Sequence, residues 1–280
     1  GPGSGKERIV IDLEDVITEE VHRNFRPTHI SKFSNVFEDI GSKMALGFRG
    51  IRQHLGLTQE QMGYELNKSA SQIKKYESGA APKMDDAAYW TVDKGISYHL
   101  LFNEPALPFT EGLQGFGVDF LLLQSQVNDF EEQVFESWLS LVSSLIGVQI
   151  SYYPGQFKNA SKQGALSDLS NYYQHVAEGL IAFRKHAKLH QDEFAHLLGI
   201  SSRTYHSWEC VKTRFPVVAA ARFYLVTNVN PLVLMAGSEF FNYRRKQIER
   251  NRALAQLKSV TKPSTWREIE ALTSCIHQSI

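Results

Sequence analysis

The chain has 280 residues, of which 42 % are hydrophobic and 21 % are charged, with 30 basic and 30 acidic side chains. This length allows more than one domain, and this hydrophobic content excludes a wholly disordered chain. No apolar run reaches about 18 residues and no secretory signal is present, so we expect no membrane span and a cytoplasmic location. Residues 1–5, Gly-Pro-Gly-Ser-Gly, are typical of a cloning scar.

Charge is distributed unevenly along the chain. Residues 1–140 contain 13 Lys and Arg against 21 Asp and Glu, whereas residues 141–280 contain 17 against 9. This asymmetry is typical of a protein with one half facing a polyanion, and it also arises from chance variation in surface composition. Cys210 and Cys275 lack metal-ligand spacing, so we predict no disulfide, no metal site and no cofactor.

After an acidic arm (residues 6–40) whose role the sequence does not show, four helices are predicted. The first covers about 42–54, with Met44, Phe48 and Ile51 at helical spacing. Thr58 caps the second, with Gln61 completing a capping box, and this helix ends near 66–67. Ser69 caps the third, which Ser78 and Gly79 end, and the fourth covers about 84–94.

The same pattern returns later in the chain. Residues 52–77 align without a gap on residues 184–209, at a constant offset of 132. After two extra residues in the second copy, Pro82 matches Pro216 and Tyr89-Trp90 matches Phe223-Tyr224. The positions that are identical are Arg52/Arg184, His54/His186, Leu57/Leu189, Gln59/Gln191, Leu66/Leu198, Ser69/Ser201 and Glu77/Glu209. Such self-similarity indicates an internal repeat.

The pattern from Leu57 to Gly79, together with its copy from Leu189 to Glu209, resembles the phage-repressor/Cro-like (XRE) family of DNA-binding domains. The fold class that this implies is mainly α. Two repressor-like helix-turn-helix bundles, a first repeat at 41–103 and a second repeat at 176–237, would be joined by a helical insert with room for short strands.

In this family the third helix enters the major groove, so its outward side chains would contact DNA. Arg203 is the best candidate for reading a base, because a guanidinium can donate two bonds to one guanine. Gln59 and Gln191 would touch the phosphate backbone and brace the reading helix. The resemblance implies these DNA-binding residues: Gln59, Ser69, Ala70, Ser71, Lys74, Lys75, Gln191, Ser201, Ser202, Arg203, His206, Ser207, Lys212 and Arg214.

Charge separates the two copies. Residues 43–103 contain 8 basic and 6 acidic side chains, whereas residues 178–262 contain 14 and 6. Because phosphate neutralisation supplies most non-specific affinity, the second copy is predicted to dominate DNA binding.

The insert, residues 104–175, is predicted to contain one long helix from Gln124 to Ile146. Its apolar stripe is either the interface of a homodimer, which we favour, or part of the core of the same chain. The stripe consists of Val127, Phe130, Val134, Trp138, Leu141 and Leu145, extended by Phe135, Leu139 and Val142. A short strand is expected near Val148–Tyr153.

The tail, residues 238–280, begins with a basic helical segment that either contacts phosphates or is a solvated face. Its basic residues are Arg244, Arg245, Lys246, Arg250, Arg252 and Lys258.

The predicted function is a sequence-specific transcriptional regulator, with operator double-stranded DNA as its partner. The alternative is an antitoxin-like protein that also binds a protein partner and autoregulates its operon. An enzyme that uses the motif only to oligomerise is disfavoured, because His186 and His190 lack the glutamate of a metalloprotease helix and neither cysteine has a recognisable base. We therefore expect no enzymatic activity.

Overall fold

The structure is a computed structural model that describes residues 12–33, 40–98, 101 and 117–280, without the side chain of residue 40. The predicted scar (1–5), parts of the arm (6–11 and 34–39) and the start of the insert (104–116) lie outside the described residues. The described part is mainly helical and contains no strand. None of its helices is both long and apolar enough to cross a membrane.

The helices, numbered in chain order, are α1 Leu13–Asn24, α2 Ile40–His54, α3 Gln59–Leu66, α4 Ala70–Glu77, α5 Met84–Lys94, α6 Leu121–Asn128, α7 Glu132–Ile146, α8 Lys162–Asp168, α9 Tyr172–His186, α10 Gln191–Leu198, α11 Ser202–Glu209, α12 Val217–Thr227, α13 Glu239–Ser259 and α14 Pro263–Ser279.

The internal repeat is present at the level of whole helices. The first three helices of the first repeat, α2 to α4, have the bounds of α9 to α11 shifted by 132 residues. The fourth pair, α5 and α12, is shifted by 133 residues, so the second copy has one extra residue rather than the two that we predicted. Buried Trp90 therefore matches buried Phe223, and the predicted pairing of Tyr89-Trp90 with Phe223-Tyr224 is wrong.

The backbone turns repeat as well. Three positive-φ positions match at the same offset of 132, namely Gly56 and Lys188, Asn67 and Gly199, and Gly79 and Val211, and a fourth pair, Gly95 and Asn228, matches at 133. Positive φ is easy for glycine and costly for side chains with a Cβ. The turns of the two repeats therefore have the same backbone conformation although their residues differ. The reason is that the helices on either side of each turn end and begin at matching positions.

The two repeats are not separate domains joined by a linker. One cluster of buried hydrophobic side chains includes Phe48 and Trp90 of the first repeat and Phe183 and Phe223 of the second. It also includes Phe240 at the start of α13. Both repeats are therefore built on a common core.

Helix α13 is the centre of the molecule rather than a solvent-facing tail. Its first half packs in the cluster shared by the repeats, and its second half packs against α6, α7 and α14. Arg244, Lys246 and Arg250 are buried, with 1 %, 7 % and 3 % of their surface exposed. The prediction that the basic residues of this segment meet phosphates or solvent is wrong for these three.

Buried polar partners explain how these cations are accommodated. The Nη2 of Arg250 lies 3.2 Å from Glu132 Oε2, and its Nη1 donates to the carbonyl of Val127 at 2.9 Å. Lys246 Nζ donates to the carbonyl of Ala160 at 2.6 Å. The cations therefore join α13 to the insert.

Two helices of the insert, α6 and α7, replace the one long helix that was predicted from Gln124 to Ile146. α6 ends at Asn128 and α7 begins at Glu132, so the chain bends between them. Phe130, Trp138 and Val142 of the predicted stripe are buried in the core of the same chain, whereas Leu141 and Leu145 are 44 % and 60 % exposed. Residues 148–153 form no strand, which corrects that prediction.

The N-terminal arm packs on the second repeat. Ile17 of α1 is fully buried in the shared cluster. The backbone N–H groups of Arg26 and Thr28 donate to the carbonyls of Thr227 and Val226 at the end of α12, at 3.0 and 2.9 Å. The arm thus completes the fold of the second repeat.

Candidate nucleic-acid interface

Helix α11 has one buried side and one exposed side. Tyr205 and Trp208 point into the core, with 0 % and 6 % of their surface exposed. Ser202, Arg203 and His206 lie on the opposite side and are exposed. Arg203 makes no hydrogen bond or ion pair with any other described residue, so its guanidinium is available to an external ligand.

Helix α4 has the same orientation in the first repeat. Ile73 and Tyr76 are buried, with burial raising the pKa of Tyr76 to about 12. The sequence-predicted residues Ala70, Ser71, Lys74 and Lys75 are all exposed. The side chains of Lys74 and Lys75 form no ion pair within the described part of the chain. Both third helices therefore present cations to solvent.

A buried ion pair holds each third helix in place. In the first repeat, Arg52 Nε lies 2.8 Å from Glu77 Oε1, and Gln59 Nε2 donates to Glu77 Oε2 at 2.6 Å. Arg52 also donates to the carbonyl of Leu57 at 3.0 Å. The first, second and third helices thus meet at one carboxylate.

The second repeat contains the same arrangement. Arg184 donates to both oxygens of Glu209, from Nε at 3.0 Å and from Nη2 at 2.9 Å, and Gln191 Nε2 donates at 3.3 Å. Burial acts to raise the pKa of Glu209, but hydrogen bonds from Arg184, Tyr205 and Gln191 outweigh it and lower the pKa. Gln59 and Gln191 therefore do brace the third helices, while their contact with phosphate stays a prediction.

The serines predicted to contact DNA differ in what their hydroxyl groups do in the structure. Ser69 Oγ and Ser201 Oγ each accept the backbone N–H three residues on, at 3.1 Å, so both hydroxyls start their helices. Ser207 is half-buried and donates to the carbonyl of Thr204 at 2.6 Å. Ser207 is therefore turned back onto its own helix, in contrast to exposed Ser202.

The loop after α11 folds back against that helix. The N–H of Lys212 donates to the carbonyl of Ser207 at 2.9 Å, which leaves the Lys212 side chain exposed beside the outward face. Arg214 is also exposed, but its guanidinium lies 5.9 Å from the centre of the Tyr173 ring. Lys212 is thus better placed than Arg214 to meet a phosphate next to α11.

One pair of side chains was missed by sequence reasoning. Cys210 Sγ lies 3.2 Å from His206 Nε2, and both residues are exposed at the C-terminal end of α11. The spacing of four residues on a helix is the signal that indicates such a pair. The sequence shows that an Arg, a Gln and a Glu are identical in the two repeats. This identity is the signal in the sequence that the three side chains form one buried unit in each repeat.

The structure removes the difference in charge on which the predicted dominance of the second copy in DNA binding rested. Within residues 176–237 there are 7 basic and 4 acidic side chains, against 8 and 6 in residues 43–103. The larger excess counted earlier includes α13, where Arg244, Lys246 and Arg250 are buried. The two repeats therefore present similar net charge, and only the identity of the outward side chains separates them.

No model of a protein family, no curated protein and no solved structure matches the chain.

Proposed function

We propose that the chain is a sequence-specific double-stranded DNA-binding transcriptional regulator of the phage-repressor type, which places α11 in the major groove. The observation that carries the proposal is the exposed, unpartnered Arg203 on the outward side of a short helix whose inward side is firmly anchored. A major groove about 12 Å wide accommodates such a helix.

Rigid anchoring supports base reading. Because Arg184, Gln191 and Glu209 fix α11 against its neighbours, the backbone position of Arg203 is set before binding, and only its side chain remains to be ordered. In the first repeat, Ala70 and Ser71 are short and Lys74 and Lys75 act as point charges. We therefore assign base reading to the second repeat and phosphate contacts to both.

The test begins with selection of bound fragments from a random duplex library, followed by titration of the recovered site. Arg203→Ala is expected to weaken binding to that site by about 1–3 kcal/mol and to relax preference at one base pair. Arg267→Ala is the matched control, because Arg267 is exposed on α14 and has no partner among the described residues.

Recovery of no preferred duplex would contradict the proposal. Equal weakening by Arg203→Ala on every sequence would instead make Arg203 a phosphate contact.

A further inference from the structure

The two repeats meet at positions that match each other. A cavity of about 30 Å³ between them is lined by Tyr98 of the first repeat and by Pro231 of the second. These positions correspond at the offset of 133 that relates α5 to α12, and the buried residues Leu101 and Leu234 follow the same offset. An interface that uses the same patch on both sides is the kind that a two-fold axis produces. The repeats are therefore paired inside one chain as two copies of a symmetric dimer would be.

The loops that follow the two third helices also meet at this junction. Met84, which begins α5, and Phe215, two residues before α12, line the same cavity. At the neighbouring positions, Tyr173 Oη donates to Asp85 Oδ1 at 2.9 Å, and the Arg214 guanidinium lies 5.9 Å from the centre of the Tyr173 ring. The loop after α11 is therefore joined through Tyr173 to the first turn of α5.

This junction limits the distance between α4 and α11. Both loops are hydrogen-bonded to their own third helix, at Ala80 and at Lys212. The chain from Ala80 to Asp85 spans at most about 18 Å, and from Lys212 to Arg214 at most about 7 Å. With the side chains at Tyr173 included, the path from α4 to α11 is at most about 50 Å long. Successive turns of a duplex are about 34 Å apart, so the third helices can contact DNA one turn apart but not two.

Exposed cations mark the surface from one third helix to the other. We call them the basic strip, which consists of Lys75, Lys83, Arg214, Lys212 and Arg203. None of the five forms an ion pair with another residue that the structure describes. Of the acids at the junction, Asp85 is hydrogen-bonded within the chain and Asp86 lies 2.9 Å from Lys68 Nζ. The basic strip therefore suits the phosphates of a duplex that passes both helices.

We propose that one chain binds one duplex with both third helices at once, with α11 in one major groove and α4 against the next turn. The inference rests on the proposed DNA binding and adds the layout of the DNA site. Because phosphate contacts carry no sequence information, α11 with Arg203 reads a specific half-site, and α4 holds a half-site of any sequence one turn away. The site is asymmetric, and a single chain fills it without a second copy.

Sedimentation of the full-length chain with the selected duplex tests the stoichiometry, at concentrations well above the dissociation constant. One chain per duplex is expected, with hydroxyl-radical protection of two stretches about 10 bp apart. Two chains per duplex, or a single protected stretch, would overturn the inference and leave sequence-specific binding intact. Recovery of no preferred duplex would overturn both.

Truncated duplexes test the asymmetry of the site. Removal of the turn that holds the sequence-tolerant half is expected to weaken binding at least about tenfold at low salt, because the phosphate contacts of α4 are lost. Removal of the same length from the opposite end is the matched control and should leave the affinity nearly unchanged. Equal effects of the two truncations would contradict the asymmetric layout.

Variants assign each half-site to its helix. Lys74→Ala combined with Lys75→Ala is expected to remove protection of the sequence-tolerant half only and to reduce the salt slope of binding by about two. The selected sequence should stay the same. Lys262→Ala combined with Arg267→Ala, at two exposed cations far from the basic strip in sequence, is the matched control and should change neither property. An unchanged footprint in the Lys74 and Lys75 variant would overturn the placement of α4 on the duplex.

Discussion

Val211 has a positive φ, and the residue at the matching position of the first repeat is a glycine, Gly79. Its φ is 57°, while Gly79 at the same place in the first repeat has a φ of 107°. In both copies the next N–H donates back to the third helix, from Ala80 to Lys75 at 3.0 Å and from Lys212 to Ser207 at 2.9 Å. The path is kept in the second repeat despite the unfavourable side chain, and it is the path that sets Lys212 beside α11.

Replacement of this valine should stabilise the protein. A left-handed conformation costs an ordinary residue about 1–2 kcal/mol, and glycine returns part of that as entropy of the unfolded chain. We therefore expect Val211→Gly to raise the free energy of unfolding by about 1 kcal/mol in denaturant titration. Val260→Gly, at an exposed valine outside this turn, should not stabilise. A loss of stability in Val211→Gly would show that the turn is unstrained.

A second residue-scale prediction concerns pH. Burial and, to a smaller extent, the charge of Arg250 lower the pKa of Lys246, Glu132 raises it, and together they set the pKa at about 8. Between this value and the ordinary 10.5, the unfolded chain binds the proton more strongly than the folded chain, so stability rises with pH.

We expect a gain of about 1–2 kcal/mol between roughly pH 8 and 9.5 from this lysine, measured as the free energy of unfolding. Lys246→Met loses the titrating group and should lose this slope, whatever its stability at pH 7. Lys258→Met, at a less buried lysine of the same helix, should keep it. An unchanged slope in Lys246→Met would assign the titration to another group.

At the scale of the element, each third helix depends on an arginine two helices away. Arg52 and Arg184 are identical in the repeats, and the carboxylates that they meet are almost wholly buried, at 4 % exposure for each side chain. Truncation of either arginine leaves a buried carboxylate without its partner, at a cost of about 3–5 kcal/mol.

Arg184→Ala should accordingly reduce the free energy of unfolding by about that amount. The measurement is denaturant unfolding followed by circular dichroism. Arg252→Ala is the control, because its ion pair with Glu249 is on the surface, with 54 % of the arginine side chain exposed. A cost below about 1 kcal/mol for Arg184→Ala would mean that Glu209 is protonated or solvated in the folded state.

The elements that the sequence predicted well are those with local signals. Thr58 with Gln61, and Ser69, start α3 and α4 as expected, because capping is decided within four residues. The long helix of the insert was wrong because its hydrophobic period runs through Asn128–Glu131 without a break, while the bend there depends on packing against α13. The burial of Arg250 could not be foreseen, since its partners Val127 and Glu132 lie 123 and 118 residues away.

At the scale of the whole molecule, the shared core links the two third helices, α4 and α11. Phe48 of the first repeat and Phe183 of the second belong to one cluster of buried hydrophobic side chains. Local opening of one repeat exposes apolar surface of the other, so the repeats should lose structure together.

Calorimetry of Arg52→Ala tests this coupling. A single transition shifted to lower temperature is expected, with hydrogen exchange accelerated to a similar degree in α4 and α11. The control is Arg23→Ala, an exposed residue of α1 that should shift neither. Two separated transitions, with only α4 affected, would show that the repeats are independent domains.

The packing of α1 on the second repeat has a consequence for biosynthesis. Ile17 is synthesised some 150 residues before the start of α9, the helix that covers it, and α13 comes later still. At a translation rate of about 5–20 residues per second, the apolar surfaces of α1 and the first repeat stay exposed for tens of seconds before α13 is synthesised. Nascent chains of this protein should therefore engage chaperones until α13 has emerged, and only then become resistant to protease.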